Sequence, residues 1–501
     1  MLSVSLFIEF LRTRPSTVVW AAALAQAVLW TLVPALFYAA PPGELAETLA
    51  IGHEFQLGSD LGPPLSFWLA EIAYRALGLF GVYLLSQICV VTVYWTVFTL
   101  GRAIVGVTHA AMAVLLMVGV AAFTVPTPDF GPGILAAALW ALALLHYWRA
   151  VGQGQRIYWF VLGVDIGLLL LTSTIGVVLL GLMVAFSLMT PRGRAQAMTI
   201  EPWIAAFIPI AIVFPHLIWL DQSGGVGLPA AATIGDNVRA WGRLIGVLIA
   251  GHAGLLVLVA LGRGFTLRPS APAVEIERPP IASEARAFVL FFALAPALAS
   301  GLLALFASRP EIFVAAPLAV LSGLAVIVAA PDRVRLVHQR ASVYAWTALL
   351  ILPPLLAALA IPLAPWMLAV DLRVEKPAAE MGRFFADSFQ RRFGSPLRIV
   401  AGDQKIAALV VLTAPSRPSL YFQAAPERTP WVTRGDVERN GAIVVWPSND
   451  ADATLPAAIR ERFPDLVPEV PRAFERRFQG RLPLLRIGWG VIRPREAAQS
   501  K

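Results

Sequence analysis

Long uncharged apolar runs recur along residues 15–370, separated by short loops whose only cationic side chains apart from histidine are arginines, and no lysine occurs before Lys376. Roughly 20 apolar residues cross a hydrocarbon core of about 30 Å, and inside that core only helices and closed barrels satisfy their own backbone groups. Runs of this size lie at 15–43, 76–101, 103–128, 130–148, 202–220, 244–262, 287–308, 312–331 and 341–370. The run 157–191 would reach roughly 50 Å at about 1.5 Å per residue, so it is divided near Thr172-Ser173 into two short spans. The chain reads as an all-α polytopic membrane protein with about 11 transmembrane helices over residues 1–370. Composition agrees: 58% hydrophobic and 14% charged residues leave too few charges for a water-solvated surface.

Arginine placement sets the orientation, because short cytoplasmic loops retain positive charge. With Met1 inside, the cytoplasmic loops carry Arg12, Arg14, Arg102, Arg149, Arg156, Arg192, Arg194, Arg263, Arg268, Arg278, Arg286, Arg333, Arg335 and Arg340. The outer loops carry Arg75, Arg239, Arg243 and Arg309. This expectation places the C-terminus outside, and it explains the net charge of +8 without a nucleic-acid partner. Glu9 before the first apolar run, with no small-residue cleavage site after a short apolar core, favours a retained first span at Thr17–Ala40. One cysteine, Cys89, permits no disulfide framework and no thiolate metal site within the chain.

After Val370 the composition turns polar, and 371–501 reads as a small C-terminal α/β extracytoplasmic domain. The spacing predicts helices at 378–394, 403–412, 433–441 and 455–463, and strands at 397–402, 418–422, 442–446 and 484–492. Gly402-Asp403 follows a strand, but no GxGxxG or Walker pattern accompanies it. The linker 263–286, with Pro269, Pro272, Pro279 and Pro280, reads as a polar cytoplasmic connector.

Polar residues that topology does not require mark the place to look for chemistry. The first outer loop, 41–75, carries Glu44, Glu47, His53, Glu54, Asp60 and Glu71, yet is half apolar. Leu45, Leu49 and Phe55 at helical spacing fit an amphipathic helix lying along the membrane surface; its acids would then face water or serve a site. Asp129, in the TPDFGP turn at 127–132, is expected to cap the following helix, or to border an outer cavity together with Glu44. Asp165 in mid-span should be protonated or paired with a neighbouring span. No HExxH, CxxC or histidine cluster occurs, so no protein-bound metal is expected.

These residues carry a resemblance. Glu44 opening the first outer loop, the Gly58–Trp68 stretch with its Pro63-Pro64-Leu65, Thr127-Pro128-Asp129, Trp148-Arg149, Gly167–Thr172 and Pro215–Trp219 together resemble bacterial glycosyltransferases of family 39. That group is related to protein O-mannosyltransferases and to the aminoarabinose transferase acting on lipid A. The resemblance implies the GT-C fold, a bacterial inner-membrane location, and sugar transfer from a polyprenyl-phosphate donor to an envelope glycolipid, lipopolysaccharide or protein acceptor at the periplasmic face. No cofactor is implied beyond the lipid-linked donor as substrate. Glu44 would accept the acceptor's proton, and Asp129 would orient the acceptor or stabilise oxocarbenium charge. Arg239 and Arg243 would hold the lipid phosphate, and Glu47, His53 and Asp60 would line an acceptor or loop site. Where many members carry Lys or His before the Pro-Pro pair this chain has Gly62, and where they carry Lys-Tyr it has Ser173-Thr174. A catalytically degenerate envelope scaffold and a lipid or sugar transporter are the alternative readings. The outer domain is expected to cover the site's mouth and help select the acceptor.

Overall fold

A computed structural model describes residues 2–59, 61–125, 128–222, 233–263, 274–306, 315–336, 338–422, 430–448 and 455–495. Among them, seven helices are long and apolar enough to cross a membrane: Pro15–Phe37, Leu65–Val105, Pro132–Gly152, Glu201–Gln222, Ile234–Gly262, Ser283–Phe306 and Gln339–Met367. Ile175–Met189 and Pro191–Ala197, bent by 106°, make an eighth if counted as one span. Three shorter apolar helices, Val107–Met117, Tyr158–Leu170 and Ala315–Ala329, fall on the remaining expected spans. Each of the eleven stretches read from the sequence therefore contains helix, and the division near Thr172-Ser173 falls between Tyr158–Leu170 and Ile175–Met189. The protein is a multi-pass membrane protein. The long helix Leu65–Val105 is interrupted at Leu77 and Gly78, where the backbone leaves helical angles, so the predicted span starting at 76 begins at a break.

By packing, the chain divides into two units: Met1–Leu32 with Tyr83–Leu355, and Val33–Val82 with Leu356–Lys501. Within the first, lipid-facing helices are the least covered: only 11% of Glu201–Gln222 and 17% of Ile234–Gly262 is buried over the apolar window, as expected of helices whose solvent is lipid. Close backbone packing uses small residues. Leu255 N donates to Gly119 O at 2.8 Å, and a Cβ on Gly119 would stand 2.5 Å from that same nitrogen. Asp165 is paired, as its mid-span position requires: its Oδ2 lies 2.5 Å from His146 Nδ1. The linker is more than a connector. Its residues Val274–Glu277 (β1) pair antiparallel with Arg333–Leu336 (β2). The next residue, buried Arg278, donates to the Ile327 carbonyl at 2.5 Å and to Asp332 Oδ1 at 2.6 Å, capping the carbonyl end of the helix Ser322–Ala329.

In the second unit, the tail forms a five-stranded sheet of order β4-β3-β5-β7-β6, comprising β3 (Ile399–Gly402), β4 (Ser419–Phe422), β5 (Ala442–Pro447), β6 (Val467–Phe474) and β7 (Leu485–Ile492). β3 runs parallel to β4 and β5, and β7 runs antiparallel to β5 and β6. The four predicted strands and four predicted helices all form, and β6 is an additional edge strand. Asp403 caps the helix Gln404–Thr413, its side chain accepting from Ile406 N at 3.0 Å, which gives the Gly402-Asp403 pair a structural role. Residues Ile406–Leu412 of that helix are all buried. It is apolar all round because it packs against the sheet, against the helix Ala378–Phe393 and against the first-loop helix Leu45–Gly52.

Candidate functional site

The first loop, 41–75, folds as part of the second unit. Its helix Leu45–Gly52 has all eight residues buried, which corrects the expectation of a helix lying on the membrane surface: the apolar face meets the tail helix Gln404–Thr413, not lipid. Phe55, assigned to that face from its spacing, lies beyond the helix end with φ 48° and is 41% exposed. Gly52 admits the close crossing of the following helix, since a Cβ there would lie 2.3 Å from the Phe67 carbonyl oxygen.

This packing sorts the loop's acids. Glu47, 2% exposed, accepts from Arg373 Nη2 through both carboxylate oxygens at 2.6 Å. Burial pushes its carboxyl up, and the bond to Arg373 opposes that shift. Glu71, 1% exposed in its side chain, accepts from Arg75 Nε at 2.9 Å and Arg417 Nη2 at 2.8 Å, with His53 Nδ1 at 3.1 Å. Arg417 reaches it from a left-handed backbone, φ 46°, and stacks over Tyr74 at 4.8 Å; strain of this kind persists only where surrounding contacts hold it. Burial also raises the Glu54 carboxyl, against a hydrogen bond with Ser419. Glu44 differs from these three. It occupies the N-cap position of Leu45–Gly52, makes no side-chain cap bond and is exposed, so its carboxylate faces solvent at the positive end of a helix whose position is fixed.

The tail adds charges that sequence reasoning missed. Glu375 is 1% exposed and neither carboxylate oxygen has a hydrogen-bond partner. Burial, and next the neighbouring Asp371 charge, push its carboxyl up to about 7. Arg476 Nε donates to Asp371 Oδ1 at 3.2 Å. Just before Glu375, the Val374 carbonyl accepts from Ala39 N at 2.8 Å and Ala40 N at 3.0 Å, tying the start of the first loop to the start of the tail. One signal for Arg373 was available: it is the first cation after the last apolar run.

Of the residues singled out from the sequence, Glu44, Glu47 and His53 belong to this unit, whereas Asp129, Arg239 and Arg243 belong to the other. Asp60 lies outside the described residues. Asp129 is partly buried and is not the cap of the following helix: Gly131 occupies the N-cap of Pro132–Tyr147 and Pro132 begins it. Arg239 and Arg243 are exposed on the helix Ile234–Gly251, and Arg239 Nη1 donates to Asp236 Oδ1 at 2.9 Å. Gly62, where relatives carry a cation, has φ 128°, a backbone that side chains adopt only with strain.

The chain has the GT-C fold, a polytopic helical domain with a small α/β tail, as the resemblance seen in the sequence implies. The family model for dolichyl-phosphate-mannose-protein mannosyltransferase matches residues 62–219. The chain is similar to ArnT from Cupriavidus metallidurans bound to undecaprenyl phosphate, with a TM-score of 0.57 and 14% identity over 95% of this chain and 98% of that one. The apo state of that protein gives the same values, TM-score 0.57 and 14% identity over 95% and 98%. An apo oligosaccharyltransferase from Archaeoglobus fulgidus aligns with TM-score 0.44 and 13% identity over 87% of this chain and 69% of that one. No curated protein matches. Family model and fold together point to a glycosyltransferase of the GT-C type.

Proposed function

We propose that this protein is a bacterial inner-membrane glycosyltransferase that moves a sugar from a polyprenyl-phosphate-linked donor to a hydroxyl or phosphate of an envelope glycolipid, lipid A or lipopolysaccharide included, or of a protein, at the periplasmic face. The observation that carries this reading is the sorting of the loop's described acids. Glu47, Glu54 and Glu71 are held by Arg373, Ser419 and the His53, Arg75 and Arg417 group, and Glu44 alone among them is exposed without such a bond. A hydroxyl is a weak nucleophile at neutral pH, and a fixed carboxylate with a free lone pair is what the transfer needs. Glu44 accepts the acceptor's proton as its oxygen bonds to the anomeric carbon, while the bond from that carbon to the lipid phosphate breaks and the phosphate leaves with its electron pair. Asp129 orients the acceptor or offsets oxocarbenium charge. Arg239 and Arg243 stabilise the departing phosphate, since guanidinium groups bind phosphate bidentately. The lipid donor supplies the activated sugar, so the step is written without a further cofactor.

Glu44→Gln tests the assignment. The isostere should lower turnover by about 10²- to 10⁴-fold while retention of the polyprenyl-phosphate lipid stays within a factor of a few. Envelope glycan and lipid mass spectrometry of a deletion strain should lose a sugar mass that the wild-type gene restores and the Gln variant does not. Equal rescue by both would make the protein a scaffold, and substrate flux in sealed vesicles would make it a transporter.

A further inference from the structure

The tail segment 475–483 is fastened to the ends of two membrane-crossing helices. Arg477 Nη1 donates to the carbonyl of Phe37 at 3.4 Å, the last residue of Pro15–Phe37. Arg481 N donates to Pro365 O at 3.0 Å, close to the end of Gln339–Met367. Between them Gly480, with φ 54°, approaches so closely that a Cβ would lie 2.5 Å from the Pro365 carbonyl carbon, so the seating requires glycine. Ends of membrane-crossing helices fall near the boundary between hydrocarbon and headgroups, and the segment is bonded to two such ends.

The surroundings are those of a lipid interface. Leu36, Trp366, Met367 and Leu368 are 64%, 58%, 70% and 71% exposed; such side chains suit acyl chains, and tryptophan concentrates at this level. Three arginines stand against one glutamate, Glu475, in the segment. Arg476 is buried and committed to Asp371 and the Pro483 carbonyl. Arg477 and Arg481 are exposed, and no acidic side chain pairs with either among the described ion pairs. The loop itself is held by Gln479, whose Nε2 donates to Leu482 O at 2.6 Å and whose Oε1 accepts from Arg476 N at 3.3 Å.

We propose that Arg477 and Arg481 form a binding site for the phosphate headgroup of an anionic phospholipid, whose acyl chains lie along the exposed apolar ends of Pro15–Phe37 and Gln339–Met367. The site fastens the tail to the membrane through lipid as well as through protein, and it does not depend on the sugar-transfer reading.

The test is native mass spectrometry of the full-length protein offered phosphatidylglycerol, phosphatidylcholine or undecaprenyl phosphate in separate arms. Wild type should retain phosphatidylglycerol over phosphatidylcholine, and retention should weaken as salt rises. Each arginine lost should weaken it about fivefold, so Arg481→Gln shows about one such step and Arg477→Gln with Arg481→Gln about 30-fold. Arg477→Lys, which keeps the charge, should hold most of the retention and guards against a mere folding defect in the Gln variant. Equal retention of the two phospholipids by wild type overturns the proposal, as does unchanged retention in the double variant. An effect confined to undecaprenyl phosphate also overturns it and assigns the pair to the lipid carrier.

Discussion

Glu375 couples the protonation of a single carboxyl to the stability of the unit that contains the first loop. Its folded value of about 7 stands above the unfolded 4.5, because it is buried and lies beside Asp371. Below pH 4.5 both states hold the proton. Between 4.5 and 7 the folded state holds it and the unfolded chain does not, so stability falls as pH rises, and above 7 the loss is complete. The shift corresponds to no more than about 3 kcal/mol. Thermal unfolding of the purified protein between pH 5 and 8 should therefore show a falling midpoint that Glu375→Gln flattens; parallel curves for the two proteins would show that Glu375 does not titrate in this range. The sequence did not mark this residue, because nothing in a Val-Glu-Lys tripeptide after a polar boundary signals that its carboxyl is enclosed. Glu47 was legible as a loop acid, but not its role, since Arg373 lies 326 residues away along the chain.

At the scale of elements, Leu45–Gly52 is an eight-residue helix, too short to persist alone in water, and its place is set by what surrounds it. Removing Arg373 leaves the Glu47 carboxylate buried and unpaired, which costs about 3–5 kcal/mol unless it protonates. Arg373→Ala should therefore destabilise the protein strongly. Glu47→Gln should do so less, and the double variant should lie well short of the sum, a coupling that a double-mutant cycle by denaturant unfolding measures directly. Additive losses would mean that the pair is not energetically linked. The spans were legible because their apolar runs must match the bilayer, a constraint that acts within each segment. The burial of Leu45–Gly52 was not, because an apolar face fits lipid and protein equally well until its partner, Gln404–Thr413, is known. β6 escaped for a different reason: Pro468 and Pro471 lie within it, a pattern that argues against a strand except at a sheet edge, and β6 is an edge.

At the scale of the whole molecule, the tail's expected part in choosing the acceptor is joined by a structural one. Residues from beyond 371 supply Arg373 to Glu47, Arg417 to Glu71 and Ser419 to Glu54, and the tail helix Gln404–Thr413 packs against Leu45–Gly52. A tail that served only acceptor choice could be removed with loss of specificity alone. Truncation after Val370 should instead uncover the apolar loop helix and leave two buried carboxylates, Glu47 and Glu71, and the partly buried Glu54 without these partners, so the loop that presents Glu44 loses its structure. In lipid nanodiscs, the truncated protein should be cut rapidly by protease within 41–75 where the full chain is resistant, and sugar transfer should vanish for every acceptor. A truncated protein with that loop still protected, whose turnover persists on a changed set of acceptors, would return the tail to a purely selective role. Placement in the membrane should survive either way, because the spans are specified by their own apolar length, so an intact membrane fraction with a digested loop is the result that separates loss of the site from loss of the protein.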